Sequence, residues 1–502
     1  MTFRITYSVL DADMEQLHQE FDGALASLKL GREFGSTLGG APFASKNPSK
    51  PEQTLATYKT ATAGDIDAAV KRARKAYDGW RKTPWAERAA IIRKAADNIS
   101  ALRLEISAWL TLEVGKNRLE SLGDVEESAD LLRYYAGQLE QAQGFSQPLG
   151  KLSPNEDTRD VLRPYGVFAV IAPFNFPMAL GTGMAGAALL AGNTVVLKPS
   201  DSAPFSGEAL AEVLRDAGLP EGVLTVLHGD GVVGEALSKH PDIDGIAFTG
   251  GSAVGKQLQH TMLTGRSYPR PCLMELGGKN GALITSSADL DAAVEGCARS
   301  AFGLSGQKCS ALSRIFVAKD RHADFLKKLI ERTAAIKVGD PALRETYMGP
   351  VINAKSVARF EAAAKSAPTV HIGGKVRGGN FVDPTIVTAP RGHALTRDEL
   401  FLPFLTLDTF DTFAEGMQRL NEVDYGLTAG IFSTDENELA TFFDEAQAGV
   451  LYANRKTGAT TGAWPGVQSF GGWKASGSTG RGGCGPFYVG QFAREQSRTR
   501  ML

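Results

Sequence analysis

Short apolar runs that alternate with helical segments constrain this fold more than any other feature of the sequence. Four such runs occupy residues 167–171, 194–197, 222–227 and 245–249, and a helical pattern covers residues 206–217 between them. Runs of four to six apolar residues without polar alternation indicate strands buried on both faces. Strands of this kind separated by helices predict a parallel sheet covered by helices on both sides.

A second series of apolar runs follows Glu275, at residues 281–284, 314–317 and 430–432. It predicts a second α/β domain. Residues 65–142 have apolar side chains at helical spacing and precede both series. Residues 158–163 mix charged and apolar side chains and predict an exposed strand.

Length and charge exclude several classes of protein. A chain of 502 residues is too long for one simple core. The 54 basic and 56 acidic residues leave a net charge of −2, which gives no reason to expect nucleic acid or a membrane surface as partner. The most apolar region, residues 166–198, is interrupted by Pro173, Pro177 and glycines and does not predict a membrane span. The first residues lack the apolar core of a signal peptide, so we expect a soluble, cytoplasmic protein.

The four cysteines are scattered along the chain, at Cys272, Cys297, Cys309 and Cys484. They form neither a CxxC pair nor a cluster with histidine, so we expect no metal site and no disulfide framework. Sparse thiols in a long chain are typical of a reducing compartment.

Three polar residues in Gly-, Pro- or Phe-rich settings carry the chemistry. Cys309 lies in Gly-Gln-Lys-Cys-Ser, Glu275 begins Glu-Leu-Gly-Gly-Lys, and Asn175 lies in Pro-Phe-Asn-Phe-Pro. A thiol nucleophile, a carboxylate base for water and an amide donor to an oxyanion suffice to oxidise an aldehyde through a thioester. Taken singly, each has an ordinary alternative: a small buried hydrophobe, an ion pair and an Asx turn.

The surroundings of these residues suggest how they are tuned. Lys308 places positive charge next to Cys309, which we expect to favour the thiolate. Glu275 lies among apolar residues and glycines, so we expect partial burial and a raised pKa. A cysteine protease would need a histidine oriented on the thiol, and the seven histidines lie in unremarkable settings.

Glycine loops suggest where a dinucleotide binds. Two GxGxxG matches, residues 181–186 and 229–234, are weak signals, and we favour close helix packing for the first and a tight turn for the second. Residues 248–255 follow an apolar strand directly, and we expect Ser252 to cap the next helix and leave N–H groups for a phosphate. Lys198 ends another strand and is either a ribose ligand or a solvated strand end.

These motifs resemble the aldehyde dehydrogenase superfamily over residues 34–498. The matching segments are 173–177, 198–200, 248–252, 275–279, 306–309, 399–403 and 470–472. The resemblance implies an α/β fold with two Rossmann-type parallel-sheet domains and a small β oligomerisation element. It divides the chain into an NAD-binding domain (1–146 and 166–274), a catalytic domain (275–475) and an oligomerisation element (147–165 and 476–502), and it implies a homodimer or a higher homo-oligomer.

The same resemblance assigns the cofactor, which is NAD, with NADP left open. Asp201 would disfavour a 2′-phosphate by its charge. The cofactor would lie on a modified Rossmann fold without the usual glycine fingerprint. Its ligands would be Lys198 at the adenosine ribose, Glu399 at the nicotinamide ribose and Phe401 near the nicotinamide, together with Ser200, Gly251 and Ser252.

Within the superfamily, residues 307–311 and 454–459 are most similar to the enzymes that oxidise L-glutamate γ-semialdehyde to glutamate in proline catabolism. That similarity implies a site for the substrate α-carboxylate formed by Ser310 and the amides of Gly458 and Ala459, with Phe470 lining the pocket. Residues 460–466 make this loop longer than the resemblance leads us to expect, and Glu120 and Glu127 are candidates to meet the substrate amino group.

Three alternatives stay open on the sequence. The first is a dehydrogenase of another small aldehyde, such as a ketoacid semialdehyde. The second is a CoA-acylating enzyme, against which Glu275 argues. The third is a non-catalytic dinucleotide-binding protein on the same fold, against which the complete set of Cys309, Glu275 and Asn175 argues.

Overall fold

A computed structural model describes residues 4–7, 10–11, 13–264 and 266–502. Its helices within these ranges are α1 (Met14–Ser27), α2 (Ala63–Trp80), α3 (Trp85–Ala101), α4 (Arg103–Val114), α5 (Arg118–Gln141), α6 (Pro177–Leu190), α7 (Phe205–Asp216), α8 (Gly231–Lys239), α9 (Ser252–Leu263), α10 (Leu290–Phe302), α11 (His322–Ala334), α12 (Ala354–Ser366), α13 (Ala394–Arg397), α14 (Phe413–Asn421) and α15 (Glu436–Glu445). Short 3₁₀ turns cover Gly303–Gly306, Lys319–Arg321 and Val489–Phe492.

The strands of the same residues form two larger sheets and five two- or three-stranded ones. They are β1 (Arg4–Ile5), β2 (Leu10–Asp11), β3 (Arg32–Phe34), β4 (Pro42–Asn47), β5 (Lys50–Lys59), β6 (Ser146–Pro148), β7 (Glu156–Pro164), β8 (Val167–Ile171), β9 (Thr194–Lys198), β10 (Leu224–Val226), β11 (Gly245–Gly250), β12 (Cys272–Leu276), β13 (Asn280–Ile284), β14 (Leu312–Ala318), β15 (Thr369–Ile372), β16 (Val376–Gly378), β17 (Phe381–Val382), β18 (Thr385–Thr388), β19 (Phe404–Phe410), β20 (Tyr425–Gly426), β21 (Thr428–Phe432), β22 (Val450–Ala453), β23 (Trp473–Lys474) and β24 (Ala493–Met501).

The first large sheet is fully parallel, in the order β10-β9-β8-β11-β12. Alternate residues of its central strand enter different cores: Phe168 and Val170 join one apolar cluster, and Val167 and Ala169 join another. Helices α2 and α6 pack against β9. The predicted parallel sheet with both faces covered is therefore confirmed.

The second large sheet has seven strands, in the order β15-β18-β19-β14-β13-β21-β22. Its pairs are parallel except at the edge, where β15 runs antiparallel to β18. Strand β13 begins only four residues after β12 ends, so the chain passes directly from the first sheet to the second. Together the two sheets confirm the predicted α/β class.

A small antiparallel sheet, β24-β7-β6, joins the C-terminal strand to the predicted exposed strand. The final strand begins at Ala493 because Val489–Phe492 forms a 3₁₀ turn. The boundaries of the three predicted domains stay a prediction.

The first GxGxxG match lies inside α6, where it packs against α5. A Cβ on Gly186 would lie 2.3 Å from a methyl carbon of Leu132, and one on Gly183 would lie 3.1 Å from Leu131. These glycines allow the two helices to approach closely, as the packing interpretation predicted. No helix of the described residues combines the length and apolar character needed to cross a membrane.

Candidate active site

The predicted functional residues of the first sheet lie at the carboxyl ends of its strands. Asn175 follows β8, Lys198 ends β9, Gly251 follows β11, and Glu275 is the penultimate residue of β12. Ligands of parallel α/β sheets bind at this edge, where neighbouring strands lead to opposite faces. The topology therefore brings residues from four separate parts of the sequence to one edge.

The segment before Cys309 has an unusual backbone. Leu304, Ser305 and Gly306 have φ values of 46°, 54° and 67°. Two successive non-glycine residues in the left-handed region require outside support. The Ser305 hydroxyl donates to the carbonyl of Gly349 at 2.7 Å, and a Cβ on Gly306 would lie 2.1 Å from the carbonyl oxygen of Leu402.

Gln307 continues this support from a fully buried position. Its amide nitrogen donates to the carbonyl of Leu304 at 3.2 Å, and its amide oxygen accepts from the N–H of Ile352 at 2.9 Å. Hydrogen bonds within the strained turn and to residues outside it thus hold it in place. Cys309 therefore lies on a rigid segment.

Asn280 is a supporting residue that the sequence analysis missed. Its amide nitrogen donates to the carbonyls of Cys309 (2.8 Å) and Ala311 (2.9 Å), and its oxygen accepts from the N–H of Thr428 (3.0 Å). This buried amide ties the nucleophile segment to β21. An Asn directly after the motif at 275–279 was the only signal in the sequence.

Two cavities meet at Cys309. One has a volume of about 400 Å³ and is lined also by Glu275, Ser310 and Phe470. The other, of about 650 Å³, lies along the carboxyl edge of the first sheet and is lined also by Asn175 and Lys198. We call them the substrate-side cavity and the sheet-edge cavity. A thiol at their junction can contact molecules that enter from either side.

The thiol of Cys309 is partly exposed but strongly perturbed. Burial, and then the carboxylates of Glu275 and Glu399, raise its pKa, while backbone N–H groups lower it. The prediction that Lys308 favours the thiolate of Cys309 is wrong, because the ammonium group of Lys308 pairs with Glu120 at 2.8 Å. These surroundings therefore favour the protonated thiol at neutral pH.

Glu275 has the environment expected of a general base. Burial raises the pKa of its carboxyl group to about 7, and a single hydrogen bond from the N–H of Gly483 (2.9 Å) opposes that shift. A carboxylate that titrates near neutral pH accepts protons efficiently from water. It lines the substrate-side cavity together with Cys309.

Asn175 is 3% exposed and lies in the loop between β8 and α6. It lines the sheet-edge cavity with Cys309. The ring of its neighbour Phe174 contacts Phe401 edge to face, with centroids 5.8 Å apart. The loop is thus held by packing across the cavity.

Lys198 is buried rather than a solvated strand end, since only 5% of it is exposed. Its ammonium group donates to the carbonyls of Pro199 (2.8 Å) and Gly229 (2.7 Å), and burial lowers its pKa to about 8. It lines the sheet-edge cavity together with Ser200 and Asp201. A ribose ligand would meet an ammonium group that two carbonyls already orient.

The phosphate-loop prediction needs one correction. Helix α9 begins at Ser252, its N-cap is Gly251, and no side chain caps it. Gly251 lines the sheet-edge cavity, whereas Ser252 is not among its lining residues. The first N–H groups of the helix lack a side-chain cap, as phosphate binding requires, but glycine and not serine occupies the cap position. Gly231 and Gly234, from the second GxGxxG match, also line this cavity.

Glu399 closes the sheet-edge cavity near Cys309. Its carboxylate accepts from the N–H of Gly278 at 3.0 Å, and burial raises its pKa to about 7. A Cβ on Gly277 would lie 2.0 Å from this carboxylate, so only glycine permits the approach. Phe401 lines the same cavity with φ of 56°, a strained value for a bulky residue.

The predicted carboxylate ligands Gly458 and Ala459 are misplaced for that role. The N–H of Gly458 donates to the carbonyl of Arg455 (3.2 Å), and the N–H of Ala459 donates to that of Gly296 (3.1 Å). Neither residue is among those that line the substrate-side cavity. Both amides already donate to backbone carbonyls of the protein. The prediction that they bind the substrate carboxylate is therefore wrong.

A second Thr-Gly-Ala sequence, at residues 461–463, faces the substrate-side cavity instead. None of its three N–H groups donates to another described residue. The guanidinium of Arg455 holds the loop from behind by donating to the carbonyls of Thr461 (2.6 Å) and Gly462 (2.8 Å). The repeated Thr-Gly-Ala was visible in the sequence, but only the fold shows which copy reaches the cavity.

Ser310 and Phe470 lie on the wall of the substrate-side cavity. The carbonyl of Ser310 accepts from the hydroxyl of Thr460 at 2.8 Å, which links the nucleophile segment to the loop. The N–H of Phe470 donates to the carbonyl of Gly483 (2.8 Å), beside the contact that holds Glu275.

The two acidic candidates on α5, Glu120 and Glu127, bond to different groups. Glu120 pairs with Lys308 and accepts from the N–H of Leu304 at 3.1 Å, so it supports the nucleophile segment. Glu127 lines the substrate-side cavity and accepts from the hydroxyl of Tyr7 at 2.7 Å. Burial raises its pKa to about 8.

A parallel α/β sheet with a cavity at its carboxyl edge, joined at a cysteine to a second cavity with a buried carboxylate, defines an oxidoreductase of the cofactor-dependent, thiol-containing class. The chain belongs to the aldehyde dehydrogenase family, whose model matches residues 37–494.

Individual relatives are similar over nearly the whole chain. A protein of Halalkalibacterium halodurans named 1-pyrroline-5-carboxylate dehydrogenase 1 is 34% identical over 497 residues, which cover 95% of each chain. A solved structure of 1-pyrroline-5-carboxylate dehydrogenase from Thermus with bound NAD is 32% identical, with a TM-score of 0.90 over 97% of this chain and 96% of that one.

Another similar structure belongs to a longer protein. The structure of proline utilization A from Bdellovibrio bacteriovorus is 34% identical, with a TM-score of 0.91 over 97% of this chain. This chain spans only 52% of that protein.

Proposed function

We propose that the protein oxidises L-glutamate γ-semialdehyde to L-glutamate with NAD. The observation that carries the substrate assignment is the free donor set of the substrate-side cavity, formed by the N–H groups of residues 461–463 and the hydroxyl of Ser310. Charge-assisted bonds from several fixed donors suit a carboxylate. The names of the relatives from Halalkalibacterium halodurans and Thermus support the same substrate.

The amino group of this substrate also finds a partner. Glu120 and Glu127 both line the cavity, but Glu120 is committed to an ion pair with Lys308. The raised pKa of Glu127 favours the neutral form of its carboxyl group at pH 7. An ammonium group nearby favours the ionised form, so the binding of the amino-acid aldehyde would charge Glu127 and gain an ion pair.

In the first half of the reaction, the thiol of Cys309 gives its proton to solvent, and the thiolate sulfur bonds to the aldehyde carbon. The side-chain amide of Asn175 and the backbone N–H of Cys309 donate to the oxygen, which becomes negative. The oxidised nicotinamide supplies the hydride acceptor when bound. Loss of hydride from the carbon leaves a thioester on Cys309.

Glu275 acts as the base in the second half of the reaction. Its carboxylate takes a proton from water, the water oxygen bonds to the thioester carbon, and the carbon–sulfur bond breaks to release the acid and the thiolate. The presence of this base distinguishes hydrolysis from transfer of the acyl group to another thiol.

Several residues of the sheet-edge cavity fit NAD. Lys198 and Glu399 would hold the two riboses, and the uncapped start of α9 at Gly251 would hold the pyrophosphate. Phe401 would pack near the nicotinamide. The exposed carboxylate of Asp201 lines the same cavity and disfavours a 2′-phosphate, so we propose NAD rather than NADP.

We further propose a homo-oligomer that assembles through the sheet of β6, β7 and β24, with the domain division predicted above. The outer strand β24 is exposed along most of its length, which leaves an edge for pairing. The four cysteines are free, as a reducing compartment such as the cytoplasm would allow.

Steady-state kinetics on three aldehydes with both cofactors test the proposal. Glutamate semialdehyde should exceed pentanal in kcat/KM by about two powers of ten or more, because unpaired donors penalise a substrate without the carboxylate. Succinic semialdehyde has a carboxylate but no amino group and should fall between them. Equal values for glutamate semialdehyde and pentanal would refute the substrate assignment.

A further inference from the structure

The N-terminal segment contributes a side chain to the active site. Tyr7 precedes α1 in sequence and lines the substrate-side cavity, which Cys309 also lines. Its ring contacts Phe176 and Trp464 edge to face, with centroids 5.7 Å and 5.4 Å apart. Nothing in the motifs of the sequence pointed to this residue.

The surroundings of Tyr7 are shaped to receive its ring. A Cβ on Gly123 of α5 would lie 2.5 Å from a ring carbon of Tyr7, so a larger residue at that position would displace the ring. The indole N–H of Trp464 donates to Asp130 at 2.9 Å, which fixes the other wall. The ring therefore occupies a defined position rather than a loose one.

Helix α1, which follows Tyr7 in the chain, packs against α4 and α5. Leu17 and Phe21 of α1 are buried in a cluster with Ala108 and Leu122. Asp22 pairs with the guanidinium of Arg118 at 2.5 Å. Helix α1 is therefore anchored by both apolar packing and an ion pair.

The hydroxyl of Tyr7 acts on a second residue. It donates to the carboxylate of Glu127 at 2.7 Å, and the remaining contact to that carboxylate among the described residues is the distant thiol of Cys484, at 3.9 Å. Tyr7 is thus the main hydrogen-bond donor that orients Glu127.

We propose that Tyr7 determines substrate specificity in two ways: its ring limits the size of aldehyde that the cavity accepts, and its hydroxyl positions Glu127 for a cationic group on the substrate. The first role depends only on the cavity. The second rests on the proposed function, since it requires a substrate with an amino group.

The test compares Tyr7→Phe and Tyr7→Ala with a control, Tyr134→Phe, in the full-length protein. Tyr134 packs against Gly466 and is not among the residues that line the cavity. The substrates are glutamate semialdehyde, pentanal and the bulkier 3-phenylpropanal. Melting curves check that each variant folds, and Tyr7→Leu, which keeps apolar contact with Phe176, replaces Tyr7→Ala if the latter does not.

Tyr7→Phe should raise KM for glutamate semialdehyde by about tenfold, the effect of losing one hydrogen bond to a charged group. Its kcat, and both constants for pentanal, should change by less than about twofold, because the ring and the wall remain. An equal loss on both aldehydes would reduce Tyr7 to a structural role and overturn the positioning claim.

Tyr7→Ala should raise kcat/KM for 3-phenylpropanal relative to pentanal by about fivefold or more, because hydrophobic pockets discriminate by size at this level. An unchanged ratio would overturn the claim that the ring limits size. This ratio uses uncharged aldehydes only, so it remains decisive even if the wild-type protein shows no preference for glutamate semialdehyde and the proposed function fails.

Discussion

The side-chain amide of Asn280 donates a hydrogen bond to the backbone carbonyl of Cys309 over 2.8 Å. Through this contact the first residue of β13 fixes the segment that carries the nucleophile. The same amide reaches Ala311 and Thr428, so one side chain connects three parts of the second sheet.

Replacing Asn280 by alanine should weaken both stability and turnover. Three buried backbone groups would lose their partner, which we expect to cost about 2–4 kcal/mol in the free energy of unfolding. Denaturant unfolding and kcat measure the two effects. Asn155→Ala is the control, since Asn155 is exposed, and a stability of Asn280→Ala equal to that of the control would contradict the assignment.

Alkylation of Cys309 should be slow at neutral pH and should accelerate as the pH rises above the ordinary range for a thiol. Burial and the negative charges of Glu275 and Glu399 disfavour the thiolate and raise its pKa. Glu275→Gln removes one of these charges, so the pKa should fall and the whole profile should move to lower pH. Rates followed on the Cys309 peptide by mass spectrometry test this, and a shift to higher pH would contradict it.

Ser310→Ala should reduce kcat/KM for glutamate semialdehyde by about tenfold or more and leave pentanal nearly unchanged, because only the first substrate has a carboxylate to receive the hydroxyl. Ser286→Ala is a matched control, since Ser286 is exposed and bonds to Asp320 away from both cavities. Parallel losses on both substrates would place Ser310 in a structural role.

Arg455→Lys tests the loop behind the carboxylate site. A lysine lacks the planar fork that holds the carbonyls of Thr461 and Gly462 together. We expect KM for glutamate semialdehyde to rise by about three- to tenfold, with a smaller change for pentanal. Arg377→Lys, at an exposed ion pair with Asp383, is the control. A KM that stays at the wild-type value would mean that the loop does not depend on this clamp.

The local pattern of apolar residues was sufficient to predict the buried strands of the first sheet. The runs at residues 167–171 and 194–197 became β8 and β9 because nothing polar interrupts them. The final strand begins only at Ala493, since a 3₁₀ turn at Val489–Phe492 precedes it.

The site was predictable where a residue lies next to its own strand end, and less so where distant segments meet. Glu275 follows from one strand and its flanking glycines. Asn280, Tyr7 and Arg455 act through partners 29 or more positions away or through a loop whose path no local pattern specifies. The two Thr-Gly-Ala copies are identical in composition, and only the tertiary contacts of Ala459 with Gly296 separate them.

The central claim is that Cys309 carries the acyl group and Glu275 releases it. The most direct measurement is a single turnover of Glu275→Gln with glutamate semialdehyde and NAD, followed by rapid quenching in acid and mass spectrometry of the Cys309 peptide. The account predicts a burst of about one reduced cofactor per active site and an acyl adduct on Cys309 that persists, because the thioester forms but water is not activated. Steady turnover at the wild-type rate, or an adduct on any other residue, would contradict it.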